Sequence, residues 1–258
     1  MTEPETTMTF WEHLEELRAR VVRSVVAVMV GFGVAWYFKA KILEALAQPY
    51  IEAWHKSGIA GASAAAPLHN PGPTNLFSAY IKISLMGGFI MALPVVLWQL
   101  WAFIAPGLYK NEKRYVIPFV AVSCGLFVGG AMFGAKLAFP LAFGWFLELG
   151  KMDPGSSLAV EQTMMIDQYL EFVIQALVAF GVVFEIPVVI FFLTIIGLID
   201  HTHLIKFFRY YVVLAFVVSA IITPPDVMSQ LLMAGPLVLL YALSIGLAWM
   251  FRKRPSSA

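Results

Sequence analysis

The sequence predicts an all-α, polytopic membrane protein with six transmembrane helices, the fifth and sixth short, preceded by an N-terminal amphipathic cytoplasmic helix. Three observations predict it. Of 258 residues, 60% are hydrophobic and 13% charged, with a mean hydropathy of +0.80; an ordinary soluble domain has about 25% charged residues. The apolar residues fall in long uncharged runs, each near the ~20 residues that cross a bilayer core. The last of these runs is broken by Pro224 and Pro225, which remove two backbone donors and stop a helix.

The runs are taken in order. Residues 24–38 carry no charge and extend back through Val22 and Val21 past Arg23. The second run is 83–109, and the third is 115–147, interrupted only by Lys136. Pro118 and Pro140 predict that the third span is tilted or bent. The fourth is 172–199 and holds one acid, Glu185. The last, 210–251, divides at the prolines into 210–222 and 227–250. Thirteen residues at 1.5 Å each reach about 20 Å, so the fifth span reads as short.

Eleven lysines and arginines lie at the N-terminal end, the second-to-third and fourth-to-fifth loops and the tail, against four in the alternate loops. By the positive-inside rule both termini face the cytoplasm. The division is a cytoplasmic segment 1–20, one six-span domain 21–250 and a cytoplasmic tail 251–258. The leader holds Glu3, Glu5, Glu12, Glu15 and Glu16 before Arg18, which argues against a secretory signal. The longest external loop, 39–75, has small-residue filler at 58–67 that reads as a flexible linker. The net charge of +1 implies no nucleic-acid surface, and the single Cys124 allows no intrachain disulfide.

The candidate residues are few. Thr9 with Glu12 fits a capping box, and Phe10, Leu14, Leu17 and Val21 share one helical face. Glu16 is spaced to pair with Arg20, yet Glu12 and Glu16 repel at i,i+4, so the helix holds more acid than its own bases require. Glu112 is the lone acid among Lys110, Lys113 and Arg114; it reads either as a solvated surface charge or as a binding group. Glu185 is different, because a carboxylate in a span normally faces protein or a water-filled cavity. Thr223 and Gln230 flank the proline break and either join Glu185 in a polar patch or satisfy local backbone groups. His201 and His203 in a polar loop do not make a metal site, and no catalytic set or cofactor-binding pattern is present.

The motif around His13, Leu14, Glu15, Glu16, Leu17 and Arg18 resembles the N-terminal signature of the TatC family, the multi-spanning subunit of the twin-arginine protein translocase. Phe103, Pro106 and the stretch Tyr109 to Arg114 look like that family's first cytoplasmic loop. Phe184, Glu185, Ile186 and Pro187, then Thr223, Pro224, Pro225 and Asp226 with Gln230, resemble its later landmarks, and Pro49 matches a proline of its first external loop. The resemblance implies signal-peptide binding by Glu16, Glu112 and Phe103, and an intramembrane site for partner helices at Glu185, Thr223 and Gln230. It implies TatA-type and TatB-type single-span partners, Arg-Arg signals on folded precursors, self-association in a multimeric receptor complex and drive by the proton motive force, in the cytoplasmic membrane. A transporter or channel with a buried acidic site is the alternative, but it gives the cytoplasmic acids no role.

Overall fold

The computed structural model describes residues 10–57, 68–104, 116–149, 164–195, 197–222 and 227–250. Its helices are α1 (Phe10–Tyr37), α2 (Lys39–Ser57), α3 (Pro73–Ile104), α4 (Val116–Phe133), α5 (Phe139–Leu149), α6 (Ile166–Phe184), α7 (Ile186–Ile195), α8 (His201–Ile222) and α9 (Val227–Met250). Six helical stretches are long and apolar enough to cross a membrane, as the uncharged runs predict. Much of their apolar surface faces outward: Val26 and Val30 on α1 are 56% and 66% exposed. In a bilayer that surface meets a solvent as apolar as itself.

The amphipathic helix and the first span are one continuous helix, α1. It packs along α3 at a crossing where glycines remove the side chains. A Cβ on Gly88 would lie 2.4 Å from the Phe32 nitrogen, and one on Gly31 would lie 2.6 Å from the Gly88 carbonyl oxygen. Only glycine at both positions permits this approach, the small-residue packing that membrane helices favour. Gly88→Ala is expected to force the helices apart and lower the stability of the detergent-solubilised protein by about 1–3 kcal/mol, the usual cost of overpacking. Thermal unfolding of the purified variant checks it, and an unchanged midpoint would show that the crossing tolerates a side chain.

The third span contains a π turn, Gly134–Ala138, between α4 and α5, and it carries the exposed Lys136. Glu185 marks the junction of α6 and α7. Pro187 follows two residues later and has no N–H to offer the preceding turn.

Two expectations need correction. The fifth and sixth spans are not short: α8 has 22 residues and α9 has 24. The sequence reading starts the fifth span after Arg209, but the helix begins at His201, beyond Asp200. The Asp200 carboxylate accepts the His201 backbone N–H at 2.8 Å and the Thr202 hydroxyl at 3.1 Å, which anchors the first turn. The loop 39–75 is largely ordered, since α2 fills its first half; the filler at 58–67 lies outside the described residues.

α2 covers one end of the bundle. Its buried face, Ala47, Pro49, Tyr50, Ala53 and Trp54, packs on α5 and α3. Tyr50 meets Tyr169 and Phe143 with ring centroids 5.6 and 6.0 Å apart, and the Tyr169 hydroxyl donates to the Leu46 carbonyl at 2.6 Å. Pro49 thus serves the packing of this cap. A short parallel pair, Leu68–His69 with Met164–Met165, ties the connection before α3 to the one before α6.

Candidate functional site

The glycine crossing sets the register of α1 against α3. Fifteen residues separate Glu16 from Gly31, and fifteen separate Gly88 from Phe103, so both lie about 22 Å along antiparallel helices from one pivot. Glu16 and Phe103 therefore reach the same end, opposite α2. Contacts confirm the register: His13 stacks on Phe103 with ring centroids 4.4 Å apart, and Arg20 Nη1 donates to Gln99 Oε1 at 3.4 Å.

Arg20 also holds Glu16 from within the helix, its Nε donating to Oε1 at 3.0 Å. Both Arg20 contacts to Glu16 use that one oxygen. The other, Oε2, is buried without a hydrogen-bond partner among the described residues. Half of the carboxylate is thus committed to a structural pair, and half is a desolvated acceptor one helical turn from His13 and its stack on Phe103. A cationic donor suits such a position, and a planar guanidinium suits it best because it can both bond the oxygen and stack. The sequence reading named His13 only as part of its motif and missed Gln99. The signal for them is geometric, since each meets its neighbour only across the α1–α3 interface. Pro106 and Glu112 lie in 105–115, outside the described residues.

The second cluster is at Glu185, in the membrane core. Trp101 Nε1 donates to Ser123 Oγ at 3.2 Å, and the Ser123 hydroxyl stands against the Glu185 carboxyl. Trp101 is 5% exposed and Ser123 is fully buried, while Glu185 is half-buried. Glu185 Oε1 has no hydrogen-bond partner among the described residues. Three helices, α3, α4 and α6, thereby present one polar chain with an acceptor left over. Gln230 does not join it: its Nε2 donates to the Phe216 carbonyl at 3.0 Å, pinning α9 to α8. That is the local role its position allowed. Thr223, Pro224, Pro225 and Asp226 lie outside the described residues.

At the α7–α8 junction, His201 Nδ1 lies 2.6 Å from the Asp200 carboxylate. That contact, with the backbone and Thr202 bonds, holds the Asp200 carboxyl below the usual range. His201 is accordingly engaged in a helix-capping pair.

A bundle of six helical stretches long and apolar enough to cross a membrane, with one carboxylate oxygen at an end and another within a span left without a hydrogen-bond partner among the described residues, defines a multi-pass membrane protein. The chain matches the family described as "Sec-independent protein translocase protein (TatC)" over residues 12–236. It is 38% identical to the Sec-independent protein translocase protein TatC of Desulforapulum autotrophicum, over all of this chain and 90% of that protein. It is 41% identical to the protein of the same name from Aquifex aeolicus, over 92% of this chain and 93% of that one. A crystal structure described as the twin-arginine translocase receptor TatC superposes with a TM-score of 0.78 at 40% identity, covering 93% of this chain and 99% of that chain. The chain belongs to the TatC family of Sec-independent protein translocase proteins.

Proposed function

We propose that the protein is the receptor of a twin-arginine translocase and that it binds the arginine pair of signal peptides at Glu16 and Glu112, with Phe103 beside them. The observation that carries this reading is the buried Oε2 of Glu16, without a hydrogen-bond partner among the described residues and one helical turn from His13, which stacks on Phe103. Glu112 enters by its motif, in the connection between α3 and α4 that leaves the same end of the bundle. Both termini and this end face the cytoplasm, by the excess of lysine and arginine there. Glu185 receives a span of a TatA-type or TatB-type partner, with Thr223 and Gln230 supporting the helices around it. Transport of folded precursors across the cytoplasmic membrane then draws on the proton motive force, with several copies of the chain in one complex.

The test uses a purified precursor with an Arg-Arg or a Lys-Lys signal, added to sealed inside-out or right-side-out membrane vesicles. Arg-Arg precursor should bind inside-out vesicles at least about tenfold more tightly than Lys-Lys precursor, because lysine lacks the bidentate fork. Equal binding of the two signals removes the arginine site, and binding only to right-side-out vesicles reverses the orientation.

A further inference from the structure

At the α2 end of the bundle a cavity of about 570 Å³ opens between α2, α5 and α9. It is within the range of about 300–1,000 Å³ of small-molecule sites. Its rim carries Lys56 from α2 and Glu148 from α5. Both are exposed, and neither has an ion-pair or hydrogen-bond partner among the described residues. The lining also includes Trp145, Gly144 and Leu141 of α5 and Leu232 of α9. Along α5 the groove therefore runs from one charge of each sign at the end of the span to apolar residues nearer its middle.

The axial distance decides what it fits. Glu148 and Leu141 are seven residues apart on α5, about 10 Å. The polar interface of a bilayer is about 5–8 Å thick on each side. A ligand filling the groove thus has its polar end in the interface and an apolar part continuing into hydrocarbon, with Trp145 at the boundary where indoles settle. Gly144 leaves the floor open, since a Cβ there would meet nothing within 4 Å.

We propose that this groove is a binding site for an aminophospholipid of the phosphatidylethanolamine type. Lys56 donates to the lipid phosphate, Glu148 accepts from the primary ammonium, and an acyl chain lies along Gly144, Leu141 and Leu232. The charge pattern selects this headgroup. An anionic glycerol headgroup brings no cation to Glu148, and a quaternary choline has no N–H to donate. The site is on the opposite end from Glu16 and does not depend on the receptor reading.

The test reconstitutes the protein in phosphatidylcholine vesicles holding a few mole per cent of dibrominated phosphatidylethanolamine or phosphatidylglycerol. Because the chain has seven tryptophans, the Trp145 signal is taken as the difference between the parent and Trp145→Phe. Brominated phosphatidylethanolamine should reach half-quenching at about one tenth of the mole fraction that phosphatidylglycerol needs, the ratio expected of one charge-assisted hydrogen bond. Gly144→Leu, whose Cβ enters open space in the groove, and the double variant Lys56→Gln/Glu148→Gln should both abolish the difference. Equal quenching by the two lipids in the parent would reduce the groove to ordinary boundary lipid and overturn the proposal. Stronger quenching by phosphatidylglycerol would leave Lys56 as a lone phosphate contact and overturn it as well. Native mass spectrometry gives a reading without tryptophan: the parent should retain phosphatidylethanolamine that Gly144→Leu loses, and equal retention counts against the site.

Discussion

Glu16→Gln should lower the affinity for an Arg-Arg precursor by about tenfold or more, and Glu112→Gln should do the same. An exposed ion pair contributes only ~0–1 kcal/mol, which would hardly register. The Glu16 oxygen is not exposed, however: Oε2 is buried and lacks a partner among the described residues. A charge-assisted hydrogen bond to such an acceptor contributes about 1.5–3 kcal/mol, and 1.4 kcal/mol is one decade in affinity. The amide keeps the shape but cannot balance a guanidinium. Arg20 supplies the control that separates recognition from structure. If Glu16 serves only its intrahelical pair, Arg20→Gln and Glu16→Gln break the same contact and should act alike. If Glu16 receives the signal, Arg20→Gln frees Oε1, and affinity should hold or rise. Binding of purified precursor to the detergent-solubilised variants reads both effects. Equal losses in the two variants, or no loss in either glutamate variant, would return Glu16 to a structural role.

The spans were legible because their signal is compositional: an uncharged run of about twenty residues declares itself whatever it packs against. The α2 cap was less so. Lys39, Lys41, Glu44, Glu52 and Lys56 make the segment look like a solvated loop, and Pro49 looks like a breaker. Its apolar positions nevertheless recur at Ala47, Tyr50, Ala53 and Trp54, the spacing of a half-buried helix, so a periodicity count would have found it. The start of α8 was also readable, since Asp200 stands where an N-cap should. The site itself divides the same way. Glu185 stands out because acids are scarce in the spans and Glu16 because its helix holds more acid than its own bases require, whereas Ser123, Trp101 and Gln99 carry no signal in one dimension. They acquire a role only when Gly31 meets Gly88 and α4 lies against α6, and no local pattern encodes those distances.

Replacing Glu185 should separate hydrogen bonding from bulk in the membrane-core site. The chain from Trp101 through Ser123 ends on this carboxyl, and its Oε1 has no hydrogen-bond partner among the described residues. Glu185→Gln keeps the size, an acceptor for Ser123 and a polar group directed at the open side. It should retain association with a partner span within about threefold of the parent. Glu185→Ala removes the acceptor and leaves the fully buried Ser123 hydroxyl without it. An unsatisfied buried group costs about 1–3 kcal/mol, so association should fall by about tenfold or more. Ser123→Ala tests the same chain from the other side. It leaves the carboxyl in place but unsupported, so it should fall between the two, with Trp101 Nε1 now unpaired. Disulfide crosslinking between a cysteine on the exposed face of α6 and one on the partner span measures the association, and thermal unfolding of each variant corrects for general destabilisation. Gln and Ala variants that crosslink alike would remove the hydrogen-bond role. A Gln variant that crosslinks normally but no longer transports would instead assign Glu185 to a step that needs its charge or its proton, after the partner has docked.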